Sequence, residues 1–333
     1  MTHSRSGHLR RTCRTPKGQS RRTAHTHLVR SAGLCTVWLM AGLAWPGGAG
    51  PVHAAQASAS SGAAPADGQR VILVTGSTGG LGREVARRLA ATGSHVIVHG
   101  RSRERGTELV AEIERSGTGS ARFYAADFAS LAEVRRFAEA ILHDYERLDG
   151  LVNNAGVWLD GNERELSVDG HEMHFAVNYL AGYLLTRLLL PRIRESAPAR
   201  IVNVASVAQQ PIDFDDPMLE RRYSDGRGYA TSKLAQVMFA FDLARELAGT
   251  GVTVVALHPA TMMNTDMVLE RGATPRSTVE EGAEAVMRAI TEPGLESGQY
   301  FNGQRAGRAN AQAYDEAARE RLRQLSERLT GAR

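Results

Sequence analysis

A tyrosine and a lysine four residues apart, Tyr229 and Lys233, are the pair in this sequence best suited to moving a proton. A phenol normally has a pKa of about 10, which is too high for a base at neutral pH. A nearby cation favours the phenolate and lowers that pKa. Because four residues span one helical turn, the lysine can lie beside the phenol on the same face. The pair therefore predicts acid–base chemistry at a reacting oxygen, although the same spacing is also common in ordinary surface pairs.

A glycine-rich stretch, Gly76–Gly82, directly follows the apolar run Val71–Thr75 and precedes an amphipathic segment. Glycines let a backbone turn sharply and approach a pyrophosphate, and the next helix offers that anion its N-terminal N–H groups. A flexible turn is the alternative interpretation. The position between a buried strand and a helix favours nucleotide binding.

The second apolar run, His95–Gly100, ends beside an arginine rather than an acid. An Asp or Glu here would accept hydrogen bonds from a ribose 2′-hydroxyl, but the first acid is Glu104. Arg101 instead suits a 2′-phosphate, with Arg103 as a second candidate. The sequence therefore favours NADP over NAD, the alternative being a solvated arginine at a strand end.

The elements that must position these groups alternate between short apolar runs and amphipathic segments. The runs are Val71–Thr75, His95–Gly100, Arg122–Ala126, Gly150–Asn153, Arg200–Ala205, Val252–His258 and Gln299–Phe301. The best of them are continuously apolar, as strands are when helices cover both faces. Capping boxes at Ser130–Glu133 and Thr278–Glu281 indicate helix starts. The pattern predicts a Rossmann-like α/β fold, with a doubly wound parallel sheet of about seven strands in a three-layer α/β/α sandwich.

The charges are divided unevenly along the chain. The 333 residues include 40 Lys and Arg against 36 Asp and Glu, a net charge of +4. Residues 1–66 hold eight of the basic residues and no acid, which leaves 32 basic against 36 acidic residues in the remainder. With 42% apolar and 23% charged residues, the composition excludes a disordered, collagen-like or multi-span membrane protein. Two cysteines, Cys13 and Cys35, are too few for a disulfide scaffold or a cysteine-based zinc site.

Residues 1–54 have the layout of a secretory signal. A basic stretch, 1–30, is followed by an uncharged apolar run, 32–45, and by small residues that allow cleavage after Ala54. The apolar run is shorter than the roughly 20 residues of a membrane span. The pair Arg21–Arg22 hints at a twin-arginine signal. Export is the prediction; an uncleaved membrane anchor and a wrongly assigned start codon before a cytoplasmic protein are the alternatives.

The remaining chain is interpreted as a linker and one domain. Residues 55–68 are rich in Ala, Ser and Gly, as flexible linkers are, and residues 69–333 form a single catalytic domain. A basic arm can also bind nucleic acid, but a signal accounts for both its charges and the apolar run behind them. We therefore expect no nucleic-acid partner, no membrane span once the leader is removed, and no metal site.

Several motifs, in order, resemble the short-chain dehydrogenase/reductase superfamily. They are Thr75–Gly82 with the pattern Thr-Gly-x-x-x-Gly-x-Gly, Asn153–Gly156, Asn178, Ser206 and Tyr229–Lys233. The long segment between Ser206 and Tyr229 is similar to that of the retinol-dehydrogenase-like branch. The resemblance implies an NADP-dependent oxidoreductase acting on an apolar aldehyde, ketone or alcohol, and association as a homodimer or homotetramer.

The resemblance also implies roles for individual residues. Tyr229 is the acid/base and Lys233 assists it, Ser206 holds the substrate oxygen, and Asn178 positions a water in a proton relay. Residues expected to contact the cofactor are Gly76, Ser77, Thr78, Gly80, Leu81, Gly82, Arg101, Asp127, Phe128, Asn154, Ala155, Gly156, Tyr229, Lys233 and Pro259. The alternative is a non-catalytic nucleotide-binding or scaffold protein on the same fold, which the intact catalytic set disfavours.

One departure from the family pattern follows the sixth strand. The family usually has Pro-Gly there, whereas this chain has Pro259 followed by Ala260. Because alanine has less backbone freedom than glycine, the substitution puts in question the conformation of Thr261–Ala273, the predicted substrate loop.

Overall fold

The computed structural model describes residues 62–161 and 163–332, and eight strands of this part form one sheet. In chain order they are β1 (Val71–Val74), β2 (His95–Gly100), β3 (Ser120–Ala125), β4 (Gly150–Asn153), β5 (Ala199–Val204), β6 (Val252–His258), β7 (Gln299–Asn302) and β8 (Arg305–Ala306). Across the sheet the order is β3-β2-β1-β4-β5-β6-β7-β8. The first seven strands run parallel, and the strand order reverses between β1 and β4. A cleft at the carboxyl ends of these strands is where such sheets bind ligands.

Helices cover both faces of the sheet. They are α1 (Gly80–Ala91), α2 (Arg103–Ser116), α3 (Leu131–Asp144), α4 (Ala181–Glu195), α5 (Asp225–Glu246), α6 (Asp266–Leu269), α7 (Val279–Thr291) and α8 (Glu316–Thr330), with a π-helix at Phe175–Leu180 and a 3₁₀ helix at Ala311–Tyr314. Val71 and Leu73 of β1 pack with α3, α4 and α5, whereas Ile72 and Val74 pack with α1, α2 and α7. Alternate residues of one strand thus enter separate cores, and the predicted three-layer Rossmann-like fold is confirmed.

The eighth strand is the main difference from the predicted sheet of about seven strands. β8 is two exposed residues long and pairs antiparallel with β7. So short and exposed a strand lacks the apolar run by which the other strands are recognised in the sequence.

The two predicted capping boxes form to different extents. At Thr278 both reciprocal hydrogen bonds with Glu281 are present. The hydroxyl of Ser130 accepts a hydrogen bond from the N–H of Glu133, but the Glu133 carboxylate accepts one from the N–H of Asp127, at 2.7 Å. Both helices still begin where the sequence predicts, because each cap satisfies backbone donors of the first turn.

The predicted leader, residues 1–54, lies outside the described residues, as does 55–61 of the predicted linker. Residues 62–68 precede β1 without regular helix or strand. None of the helices within 62–332 is both long enough and apolar enough to cross a membrane.

Candidate active site

The four predicted catalytic residues reach one region beyond the carboxyl ends of β4 and β5. Ser206 follows β5, Asn178 lies in the π-helix, and Tyr229 and Lys233 lie in the first turns of α5. Asn178 and Lys233 both approach Gly156, just after β4. If this glycine carried a Cβ, that atom would lie 3.2 Å from Asn178 Oδ1 and 3.4 Å from Lys233 Nζ. The Ser206 hydroxyl is close enough to the phenol of Tyr229 to influence its pKa. Residues far apart in the chain thus share one small surface.

Tyr229 is half-buried among aromatic rings. Its ring centroid is 5.4 Å from that of Trp158, and 6.4 Å from that of His174 in an edge-to-face contact. Burial raises the pKa of Tyr229, and the neighbouring Ser206 hydroxyl, which can donate to the phenolate, opposes this rise. The expected proximity of Lys233 is present, with Nζ 5.6 Å from the phenol ring centroid. In the protein alone, however, burial outweighs the effect expected from a neighbouring cation.

Lys233 is a buried amine held by neutral acceptors. Its Nζ donates to the carbonyl of Val204 and to Gln236 Oε1, both at 3.0 Å. In the part of the chain that the structure describes, no carboxylate lies within ion-pair distance of Nζ. Burial lowers the pKa of Lys233 to about 7. The side chain can therefore gain or lose a proton near neutral pH.

Asn178 braces the backbone around this region. Its Oδ1 accepts from the N–H of Val157 at 2.7 Å, and its Nδ2 donates to the carbonyl of Val157 at 3.1 Å and to Ser232 Oγ at 3.0 Å. Short π-helical segments often occur at functional sites. With both side-chain N–H groups used, a relay water here would have to donate to Oδ1, which has one acceptor site left, or be held by other atoms of this segment.

The glycine loop is packed too closely for side chains. Gly76 has φ +64°, and a Cβ there would lie 2.8 Å from the Cα of Ala155. A Cβ on Gly82 would lie 2.3 Å from the carbonyl oxygen of Gly76. Asn154 fixes the loop by donating from Nδ2 to the carbonyls of Thr75 and Gly76, at 2.9 and 3.1 Å. A bare backbone turn ahead of α1 is the cradle that a pyrophosphate requires.

The other residues predicted to contact a cofactor differ in their exposure. Thr78, Gly80 and Leu81 line the start of α1, Ala155 and Gly156 follow β4, and Pro259 is buried after β6. Arg101 is exposed at the end of β2 and forms no ion pair within residues 62–161 or 163–332. Half-buried Asp127 uses Oδ1 to accept from the N–H of Ala129, at 3.0 Å.

Ser77 and Phe128 are buried beyond the carboxyl ends of β1 and β3. The N–H of Ser77 donates to the carbonyl of His99 at 2.8 Å, and its hydroxyl donates to the carbonyl of Val74 at 2.8 Å. Phe128 is buried and stacks on His99 with ring centroids 4.2 Å apart. We therefore expect both residues to support the cradle rather than to provide its surface.

Sequence reasoning missed His99, which supports the glycine loop from β2. Its Nδ1 accepts a hydrogen bond from the N–H of Gly76 at 3.1 Å, and its ring stacks on Phe128 and Phe137. Burial lowers the pKa of His99 to about 3, so the ring is neutral and Nδ1 remains an acceptor. A histidine inside an otherwise apolar strand was the available signal.

His99 predicts a loss of stability in mild acid. The unfolded chain binds a proton near pH 6.5 that the folded protein excludes, so stability present above pH 6.5 is lost as the pH falls. His95 and His258, whose pKa values are lowered to about 4, add to this effect. Between pH 6.5 and its lowered pKa, each such group is expected to reduce the free energy of unfolding by up to about 1.4 kcal/mol for each unit that the pH falls.

Urea unfolding between pH 6.5 and 5 measures this slope. His99→Asn keeps an acceptor near the position of Nδ1 but has no titrating ring. The variant's free energy of unfolding should therefore depend less steeply on pH, by the equivalent of about one proton. The same substitution at His143, whose side chain is 87% exposed, is the control. An identical slope in the His99→Asn variant would contradict the assignment.

Comparisons with known proteins identify the family of this chain. The model of the short chain dehydrogenase family matches residues 70–276. Retinol dehydrogenase 12 from Homo sapiens is 38% identical over 279 residues, which covers 79% of this chain and 87% of the relative. Dehydrogenase/reductase SDR family member 13 from Bos taurus is 37% identical over 286 residues, which covers 79% of this chain and 73% of the relative. The resemblance seen in the sequence is confirmed.

Solved structures show the same fold. An uncharacterized protein from Mycobacterium paratuberculosis is 29% identical, with a TM-score of 0.64, covering 82% of this chain and 98% of that one. A short chain dehydrogenase from Burkholderia cenocepacia in complex with NADP is 28% identical, with a TM-score of 0.57, covering 70% of this chain and 95% of that one. The chain belongs to the short-chain dehydrogenase/reductase family of oxidoreductases, in its retinol-dehydrogenase-like branch.

Proposed function

We propose that this protein is an NADP-dependent oxidoreductase that interconverts carbonyl compounds and alcohols. The observation that carries the proposal is the meeting of Ser206, Tyr229 and Lys233 beside a glycine cradle at the carboxyl edge of the sheet. Membership of an oxidoreductase family and the NADP in the Burkholderia relative support it. Apolar aldehydes, ketones and alcohols are the proposed substrates.

The cradle fits a dinucleotide. Gly76–Gly82 would hold the pyrophosphate, because a Cβ at either end would collide with backbone atoms. Arg101 would face the 2′-phosphate, since its guanidinium is exposed and suits an anion with several acceptor oxygens. Asn154–Gly156 and Lys233 would lie near the nicotinamide ribose. When bound, the cofactor supplies or accepts the hydride.

The side chains perform the proton chemistry. In reduction, Tyr229 gives its proton to the carbonyl oxygen while the carbonyl carbon gains the hydride; in oxidation, the phenolate takes the proton from the alcohol. Ser206, beside the phenol, would turn its hydroxyl to donate a hydrogen bond to the substrate oxygen and stabilise its developing charge. Lys233, with a pKa of about 7, returns a proton towards the phenolate.

The test is a turnover screen of the full chain with NADPH and NADH against aldehydes and ketones graded by size. Turnover is measured as the loss of absorbance of the reduced cofactor. We expect NADPH-dependent turnover of apolar carbonyls. Tight NADPH binding with no turnover of any carbonyl would contradict the proposal and favour a non-catalytic nucleotide-binding protein.

Arg101→Asp is expected to shift cofactor preference towards NAD. The new carboxylate repels a 2′-phosphate and can accept from a 2′-hydroxyl, so the NADP/NAD ratio of kcat/KM should fall by about 10- to 100-fold. Arg115→Asp, an exposed site on α2 with the same charge change, is the control. A ratio that falls equally in both variants would remove the special role of Arg101.

We further propose that residues 1–54 direct export. Residues 69–333 would form the catalytic domain, and this domain would associate as a homodimer or homotetramer. The basic, apolar and small-residue layout of the leader supports export. Because NADP is scarce outside the cytoplasm, export would follow folding around the cofactor, as twin-arginine signals permit. N-terminal sequencing of the protein from its own cells separates cleavage after Ala54 from an anchor or a later start.

A further inference from the structure

One arginine of the substrate loop reaches both segments that flank Tyr229. Arg271 Nη2 lies 2.6 Å from Asp225 Oδ2, in the first turn of α5. Its Nη1 donates to the carbonyl of Leu159, in the segment after β4. The arginine side chain is only 15% exposed. Such a partly desolvated ion pair fixes the substrate loop more firmly than an exposed pair does.

The same guanidinium stacks on an indole that contacts the phenol. Arg271 Cζ is 4.1 Å from the ring centroid of Trp158, and that centroid is 5.4 Å from the centroid of Tyr229, with ring planes at 34°. The indole Nε1 is buried and has no hydrogen-bond partner within the described ranges. Ring contacts therefore hold Trp158 in place, and the cation–π contact of a shielded arginine is the strongest kind.

We infer that Trp158 is a specificity-determining wall of the substrate site and that Arg271 is the positioning residue holding it beside Tyr229. This rests on the proposed function, in which the substrate oxygen approaches the phenol. The indole takes up space next to the phenol that a second, branched substituent on the carbonyl carbon would need. The site therefore takes carbonyls with one narrow apolar flank, such as linear aldehydes, and rejects branched ketones.

The first experiment compares kcat/KM for a linear aliphatic aldehyde and a branched ketone with NADPH. Trp158→Ala should raise the ketone-to-aldehyde ratio by about tenfold or more, because it opens room beside the phenol. Arg271→Met should change the ratio in the same direction by a smaller factor. Arg276→Met, an exposed arginine close to the substrate loop, should leave it unchanged. An unchanged ratio in Trp158→Ala that still binds NADPH would overturn the specificity role.

The second experiment does not depend on turnover. The chain has three tryptophans, so Trp38→Phe and Trp45→Phe in the full chain leave Trp158 as the only tryptophan, which excitation at the long-wavelength edge of the indole absorption band selects over tyrosine. In this background, Arg271→Met should raise acrylamide quenching of the Trp158 emission by about twofold, since the shielding guanidinium is gone. Arg276→Met should not.

The two experiments separate failure of the inference from failure of the proposed function. Equal quenching in the Arg271→Met and Arg276→Met variants would overturn the positioning role, whatever the activity. If quenching responds but no carbonyl is turned over, the specificity role falls together with the proposed function, and only the Arg271–Trp158 contact stands.

Discussion

Replacing Tyr229 by phenylalanine is expected to lower kcat by about 10³-fold while NADPH affinity changes little. The substitution removes only the hydroxyl, which lies near Ser206, and keeps the ring that packs against Trp158 and His174. The fold and the glycine cradle should therefore persist, while the proton donor is lost. Stopped-flow or steady-state turnover of an aldehyde, beside NADPH fluorescence titration, measures the two effects separately.

Tyr223→Phe is the matched control for this experiment. Tyr223 lies six residues earlier, and its hydroxyl is buried without a hydrogen-bond partner in the described part of the chain. Removing this hydroxyl should leave kcat within a small factor of the unchanged protein. Full activity in the Tyr229→Phe variant would exclude Tyr229 as the acid/base and with it the proposed mechanism.

Lys233→Met is expected to lower kcat by about 10²-fold and to alter the pH dependence of stability. In the cofactor-free protein, burial lowers the pKa of Lys233 to about 7, whereas the unfolded chain holds this proton up to about pH 10.5. Between these values the unfolded state binds more protons, so the lysine's contribution makes the free energy of unfolding rise with pH. Below pH 7 the full cost of burying the charge is present.

Urea unfolding at pH 7, 8 and 9 tests this sign. The unchanged protein should gain up to about 1.4 kcal/mol per pH unit from this group, and Lys233→Met should lose that gain. Gln236→Leu removes one acceptor of Nζ while keeping the amine, and should keep a slope of the same sign. A Lys233→Met variant with an unchanged slope would contradict the lowered pKa.

The sheet and its flanking helices were predictable because each strand is either continuously apolar or bounded by turn residues. β8 was not predictable, since two exposed residues carry no periodicity. The helical spacing of Tyr229 and Lys233 correctly implied proximity. The spacing could not predict whether the pKa of each group is set by its charged neighbour or by burial, because burial depends on how other elements pack around it.

Contacts between segments far apart in the chain could not be predicted from the sequence either. Arg271 and Trp158 are 113 residues apart, and neither has a local pattern that pairs them. The sequence indicates only that His99 belongs to a strand, whereas the fold brings its Nδ1 within hydrogen-bond distance of the N–H of Gly76. Ser77 belongs to the recognisable glycine motif, yet its buried hydroxyl ties β1 to β2.

The buried amine of α5 also gives the protein a built-in spectroscopic label. The chain has two lysines, Lys17 and Lys233, and every other basic side chain apart from histidine is an arginine. Growth on ¹³C-labelled lysine would label only these two side chains without altering either amine, and the signal from Lys233 would have a chemical shift moved by its lowered pKa. Protonation, cofactor binding and catalysis at the centre of the molecule could then be followed from a single resolved NMR signal.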